Sequence, residues 1–224
     1  MKIKAVIFDL DNTLIDFIKM KREATRAAAY AMVGAGLEAN RDQLADELFD
    51  YYLNYDIESD DAFLKYLQEK HGNVDYRVLA AAVNAYLKEK ALRLEPYPNV
   101  IATLEELRKR GLKLAVVTDG LRLKAWMRLS AAGLDKYFDT VVTFDDTGKK
   151  KPAKEPFMKA SEELHVRPEE CLMVGDWPEK DMIGAKAAGM MTCWAKYGSH
   201  VREGKADIVI GEVAELLKFI AADC

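Results

Sequence analysis

Asp9 and Asp11 stand two residues apart at the end of the apolar run Val6-Ile7-Phe8. A carboxylate is a competent nucleophile toward phosphorus and forms an aspartyl-phosphate that water later cleaves. A second carboxyl leaving the strand on the same side can protonate a departing alkoxide and then take a proton from the attacking water. Read alone, Asp11-Asn12-Thr13 is equally a polar turn with capping side chains. Three further stations supply what that chemistry lacks. Thr118, after the run Leu114–Val117, has a hydroxyl that can donate to a phosphate oxygen. The N–H groups of Asp119 and Gly120 follow it into a helix, which makes an anion cradle or an ordinary N-cap. Lys151 can neutralise charge on a transferring phosphoryl group. It is singled out from Lys149, Lys150 and Lys154 by Pro152, which fixes the backbone beside it. Asp176 closes the run Leu172-Met173-Val174-Gly175, with Asp181 five residues on. Hard oxygens of this kind suit Mg²⁺, which takes one or two carboxylates and keeps its waters. Asp9 and Asp176 could hold the ion while Asp181 orients a bound water or its neighbours from behind. By itself Asp181 reads as compensation of a helix dipole.

These stations serve one reaction only if the runs that carry them lie side by side. Apolar runs at 3–9, 112–118, 140–144, 171–175, 190–195 and, more briefly, 207–210 read as buried strands. Between them apolar residues recur at helical spacing: Val100, Ile101, Leu104, Leu107; Phe157, Ala160, Leu164; Ile183, Ala187, Ala188; Val213, Leu216, Leu217, Ile220. Gly111 falls where a helix C-terminal cap belongs. Strands alternating with helices of this length make a parallel sheet, whose ligands bind outside the carboxyl ends of the strands. Asp9, Thr118 and Asp176 each fall at such an end. Residues 17–94 break the rhythm, holding no convincing strand and keeping helical spacing throughout. They read as an insertion of roughly four helices, from which Pro96 and Pro98 mark the return.

Composition bounds the partners. The chain has 224 residues, 50% of them apolar and 31% charged, with a net charge of −4. That is a soluble globular composition without the basic stripe of a nucleic-acid or anionic-membrane binder. No run approaches membrane-spanning length, and the acids Asp9 and Asp11 make the N-terminal run a strand rather than a signal peptide. Cys171, Cys193 and Cys224 form no CxxC pair, so free thiols in a reducing cytoplasm are expected.

Taken together the stations resemble the four motifs of the haloacid dehalogenase-like hydrolase superfamily. Asp-Leu-Asp-Asn-Thr (9–13) is similar to its DxDxT motif and Val-Val-Thr-Asp-Gly (116–120) to its second. Lys-Pro-Ala-Lys-Glu-Pro-Phe (151–157) resembles KPxPxxF, and Val-Gly-Asp-Trp-Pro-Glu-Lys-Asp (174–181) resembles GDxxxxD. The resemblance implies an α/β fold, a Rossmann-like three-layer parallel-sheet core of residues 1–16 and 95–224. An all-helical cap domain of residues 17–94 would close over the site. It further implies Mg²⁺ held by Asp9, Asp11 (through its backbone carbonyl) and Asp176, with Asp9 as nucleophile, Asp11 as acid/base and Lys151 steadying both Asp9 and phosphate. Leu10, Thr118, Asp119, Gly120 and Lys151 would bind the phosphoryl group. The departures are Lys154 in place of a proline, Trp177 beside Asp176, and the acid Asp119 in the phosphate loop.

The implied activity is a cytoplasmic phosphatase of small phosphate monoesters, sugar- or triose-phosphate in type, monomeric or weakly dimeric, with no nucleic-acid or membrane partner. A phosphomutase would keep every one of these core residues. A haloacid dehalogenase would lack Asp11, and a catalytically silent module would have lost at least one of Asp9, Asp11, Lys151 or Asp176. In the insertion, Phe17, Lys21, Arg22, Tyr52 and Tyr55 are the candidates to read the leaving group, or else simply core aromatics and surface cations.

Overall fold

Ala5, Val6, Ile7 and Phe8 are apolar on both alternating faces, so a strand made of them must be covered on both sides. The computed structural model, which describes residues 2–220, puts all four at 0% exposure in strand β1 (Ala5–Phe8). Five more strands complete one parallel sheet: β2 (Lys113–Val117), β3 (Thr140–Val142), β4 (Cys171–Gly175), β5 (Met191–Ala195) and β6 (Ile208–Ile210). The order is β3-β2-β1-β4-β5-β6, with β1 central. Phe8 pairs with Val116 on one side and Val174 on the other. Asp9 is therefore level with Val117 and Gly175, and Thr118 and Asp176 come one residue later. That register, fixed by the buried faces, carries all three side chains to the same edge of the sheet.

The described chain falls into two units, the residues up to Asp16 with those from Glu95 onward, and Phe17–Leu94. The second unit holds four helices: α1 (Phe17–Gly34), α2 (Arg41–Tyr55), α3 (Ala62–His71) and α4 (Tyr76–Arg93). Asn40 caps α2 by accepting from the N–H groups of Asp42 and Gln43, and Asp75 caps α4 through Arg77. Tyr52, Phe63 and Tyr86 pack edge-on or stacked at 5.4–6.1 Å between centroids. Buried Lys21 donates to the Tyr86 hydroxyl at 2.8 Å and lies 3.6 Å over the Tyr52 ring. Lys21 and Tyr52 thus belong to this unit's interior and Phe17 is buried at its start, while Tyr55 is exposed and Arg22 lies 4.1 Å over Phe49 at the surface.

In the sheet unit the helices are α5 (Val100–Lys109), α6 (Arg122–Ala131), α7 (Phe144–Thr147), α8 (Glu155–Leu164) and α9 (Ile183–Ala187). Gly111 takes φ +76° just after α5, as its capping position requires. Ile7, Ala115, Val117, Phe157, Met173 and Met182 are among the residues of the packed core. Two elements differ from expectation. The run 140–144 ends as a strand at Val142, because Thr143 and Asp146 form a capping box that starts α7. The last apolar repeat is a 3₁₀ turn, Val213–Lys218, rather than an α-helix. The segments on either side of the helical unit meet: Ile15 bridges Pro96, and the Asp16 N–H donates to the Glu95 carbonyl at 3.4 Å. Cys171 and Cys193 are buried free thiols, which burial pushes up to about 12, and Cys224 lies outside the described residues.

Candidate active site

Asp9 leaves β1 with its N–H bonded to the Val174 carbonyl at 2.9 Å, so its backbone is still part of the sheet while its side chain enters the crevice. There its Oδ1 accepts from Lys151 Nζ at 2.5 Å. The same ammonium donates to Asp181 Oδ1 at 2.7 Å and to the Val117 carbonyl at 3.3 Å. Lys151 is 6% exposed whereas Lys154 is exposed at the start of α8, so Lys151 is the lysine in the crevice. Its placement is reinforced from β2: the Lys151 N–H donates to Asp119 Oδ1 at 2.8 Å. Asp119 thus turns its carboxylate toward the lysine segment, with Lys180 Nζ at 3.3 Å on its other oxygen.

Asp176 follows β4 at 3% exposure, with Thr13 Oγ1 donating to its Oδ1 at 3.4 Å and Trp194 Nε1 to its carbonyl at 3.1 Å. Asp181 is wholly buried in the wide turn Pro178–Met182 that precedes α9. Its Oδ2 accepts the Trp177 N–H at 3.0 Å, so it is anchored at both oxygens. Gly175 makes room for it, since a Cβ there would stand 2.7 Å from the Asp181 Cβ. Trp177 itself is half-buried, stacked under Lys180 at 4.1 Å and edge-on to His200 at 4.6 Å. Thr118 is buried, and its Oγ1 accepts the Gly120 N–H at 3.2 Å, closing the loop that leads to α6. Leu10 is fully buried, and its carbonyl accepts from the N–H groups of Leu14 and Ile15.

The charges do not balance. Asp9, Asp176 and Asp181 each present an oxygen within 4.8 Å of the others, all buried, around one ammonium. Burial works against the charge on Lys151, yet the carboxylates of Asp181 and Asp9 outweigh it and hold the amine well above its ordinary value. Burial, then the charges of Asp9 and Asp181, pushes the Asp176 carboxyl up, and Lys151 offsets only part of this. A surplus of hard anionic oxygen in a buried crevice fits a small divalent cation.

Three residues that sequence reasoning did not single out complete the setting. Arg128 on α6 is 3% exposed, and its Nη1 donates to Asp11 Oδ2 at 2.5 Å. The Tyr197 hydroxyl, beyond β5, donates to the Thr13 carbonyl at 2.6 Å, with its ring edge-on to Tyr97 at 5.0 Å. Gly198 lies against the carbonyl of Asn12, which is itself left-handed at φ +59°. None carries a local pattern that would have announced it.

Residues 3–189 match the family model described as haloacid dehalogenase-like hydrolase. The chain is 40% identical to a glyceraldehyde 3-phosphate phosphatase of Methanopyrus kandleri, over 88% of this chain and 86% of that one. It is 34% identical to the glyceraldehyde 3-phosphate phosphatase of Pyrococcus furiosus, over 98% and 93%. Among solved structures, a HAD phosphatase from Thermococcus onnurineus superposes with a TM-score of 0.72 at 29% identity, covering 100% of this chain and 99% of that one.

Proposed function

The chain belongs to the haloacid dehalogenase-like hydrolases and is a phosphoric monoester hydrolase, and from that premise we propose a Mg²⁺-dependent phosphatase of triose-phosphate-sized monoesters. Its nucleophile in this reading is Asp9. The observation that carries it is the Lys151 ammonium at 2.5 Å from Asp9 and 2.7 Å from Asp181, with Asp176 beside them in one buried crevice. An Asp9 carboxylate oxygen attacks phosphorus while the ester P–O bond breaks, and Asp11 gives its proton to the departing alkoxide. Asp11 then takes a proton from water, which attacks the aspartyl-phosphate; inorganic phosphate leaves and Asp9 is regenerated. Lys151 offsets the charge that gathers on the phosphoryl oxygens, and Thr118 donates to one of them. In this reading the backbone N–H groups of Leu10, Asp119 and Gly120 would donate to the remaining phosphoryl oxygens. Mg²⁺, on Asp9, Asp176 and the Asp11 carbonyl, would neutralise the surplus carboxylate charge and orient the phosphate.

The helical unit of residues 17–94 is assigned the reading of the leaving group, and the names of the relatives favour a phosphatase over a mutase. No helix among the described residues is long and apolar enough to cross a membrane. We assign the enzyme to the cytoplasm, as a monomer or weak homodimer acting on a free small molecule. The test is phosphate release from glyceraldehyde 3-phosphate and a panel of small esters, with Mg²⁺ or excess EDTA, beside Asp9→Asn. Turnover should require Mg²⁺ and vanish in the variant. Isomerised ester without free phosphate would instead establish a mutase, and turnover surviving in Asp9→Asn would remove Asp9 from its role.

A further inference from the structure

Arg128 belongs to none of the four motifs, yet it is 3% exposed and pairs with a carboxylate 117 positions away. Burying a guanidinium is expensive unless its partner is well placed. Its Nη1 is 2.5 Å from Asp11 Oδ2 and 3.7 Å from where a Cβ on Gly120 would stand. The group is therefore wedged between the second carboxyl of the first motif and the loop after β2.

On the reading of Asp11 as the acid/base, we infer that Arg128 is its positioning residue, holding the carboxyl in the orientation from which it exchanges the proton. A guanidinium donates along directions fixed by its rigid plane, whereas an ammonium on its flexible stem rotates freely about its bond. In the first step the Asp11 proton passes to the ester oxygen as its bond to phosphorus breaks and the bond from Asp9 to phosphorus forms. In the second, a water proton passes back to the Asp11 carboxylate as the water oxygen bonds to phosphorus and the bond from Asp9 to phosphorus breaks. Arginine stays charged through both steps, so the restraint persists over the whole cycle.

A double-mutant cycle separates this role from direct phosphate binding. Asp11→Asn, Arg128→Met, Arg128→Lys and the two double variants are assayed on glyceraldehyde 3-phosphate and on p-nitrophenyl phosphate, whose leaving group needs little protonation. Asp11→Asn should lower kcat on the alkyl ester about 10²–10³-fold, and much less on the aryl ester. Arg128→Met should show the same contrast at about 10–10²-fold, with KM within about threefold of the parent. Arg128→Lys should fall between parent and Met. In the Asp11→Asn background neither change should lower kcat by more than about threefold further, because the residue it acts through is gone. Losses that multiply, or a KM rise equal on both esters, would overturn the role for Arg128 alone. An undiminished Asp11→Asn would overturn the acid/base reading itself, and the positioning role with it. If circular dichroism shows Arg128→Met unfolded, the Lys variants decide by the same criterion.

Discussion

Gly198→Ala should cripple an active site that Gly198 never enters. A Cβ at position 198 would stand 2.7 Å from the Asn12 carbonyl carbon and would overlap its oxygen outright. Non-bonded carbons sit at roughly 3.5–4.0 Å, so the two segments must part by about 1 Å or more. The neighbour is backbone, with no flexible side-chain end to give way, and Asn12 is held in the left-handed region between Asp11 and Thr13. The shift therefore passes to the carboxyl of Asp11 and to Thr13, whose hydroxyl reaches Asp176 at 3.4 Å. A displacement of about 1 Å at reacting groups costs on the order of 10²-fold in rate. Overpacking of this kind destabilises by about 3 kcal/mol, which for a chain of this size lowers Tm by roughly 6–12 °C. The assay is kcat on glyceraldehyde 3-phosphate beside a thermal melt. The control is Gly34→Ala at the end of α1, where nothing lies within 4 Å of the added carbon. It should leave kcat alone and stabilise by up to about 1 kcal/mol. If Gly198→Ala keeps kcat within about threefold of the parent, the turn after Asp9 is not held by the segment beyond β5 and the reasoning fails.

Two further outcomes are expected. Asp119→Asn retains an acceptor for the Lys151 N–H and should keep most of kcat, whereas Asp119→Ala leaves that donor unmet, costs about 1–3 kcal/mol, and should lower kcat further; equal kcat in the two variants would show that Asp119 does not position Lys151. Arg167, and then Lys4, hold the Glu170 carboxyl down to about 2, below its ordinary 4.5. Its contribution to stability is therefore complete above pH 4.5 and is lost as the pH falls toward 2. In melts across that window Glu170→Gln should lose less Tm than the parent, and parallel curves would count against the ion pairs.

Asp9, Thr118 and Asp176 could be brought together from the sequence because strands covered on both faces read as uninterrupted apolar runs, and a parallel sheet aligns their carboxyl ends. The residue following each run was then the one to inspect. Lys151 could be preferred to its neighbours because Pro152 leaves a mark in the chain, which a solvated lysine does not. Arg128 left no such mark. A cation within α6 reads as part of a solvated face, and only the meeting with Asp11, which is a tertiary event, makes it an interior group. Asp119 reads in the sequence only as a departure from the second motif, because nothing local says that its carboxylate accepts a backbone N–H 32 positions on. Tyr197 and Gly198 were invisible for the same reason. Their partners, the carbonyls of Thr13 and Asn12, are main-chain atoms that every residue type offers. The helical spacing of 213–220 was read correctly as apolar periodicity, but its realisation as a 3₁₀ turn depends on hydrogen bonding that periodicity does not encode.

The seam at Ile15–Asp16 and Glu95–Pro96 has a bearing on how such enzymes diversify. Both ends of the 17–94 segment rise from a single stitched point of the host, so the sheet's register depends on neither the length nor the order of the helices between them. Closing a longer or shorter excursion at such a point changes the entropy of the chain only logarithmically. The segment is in that sense a replaceable cartridge. On the proposed reading, in which the helical unit recognises the leaving group, another helical module spliced between Asp16 and Glu95 would keep Asp9, Asp11, Lys151 and Asp176 while bringing its own preference for what is released. On that reading, selection or an engineer would change the substrate by exchanging one contiguous stretch of coding sequence.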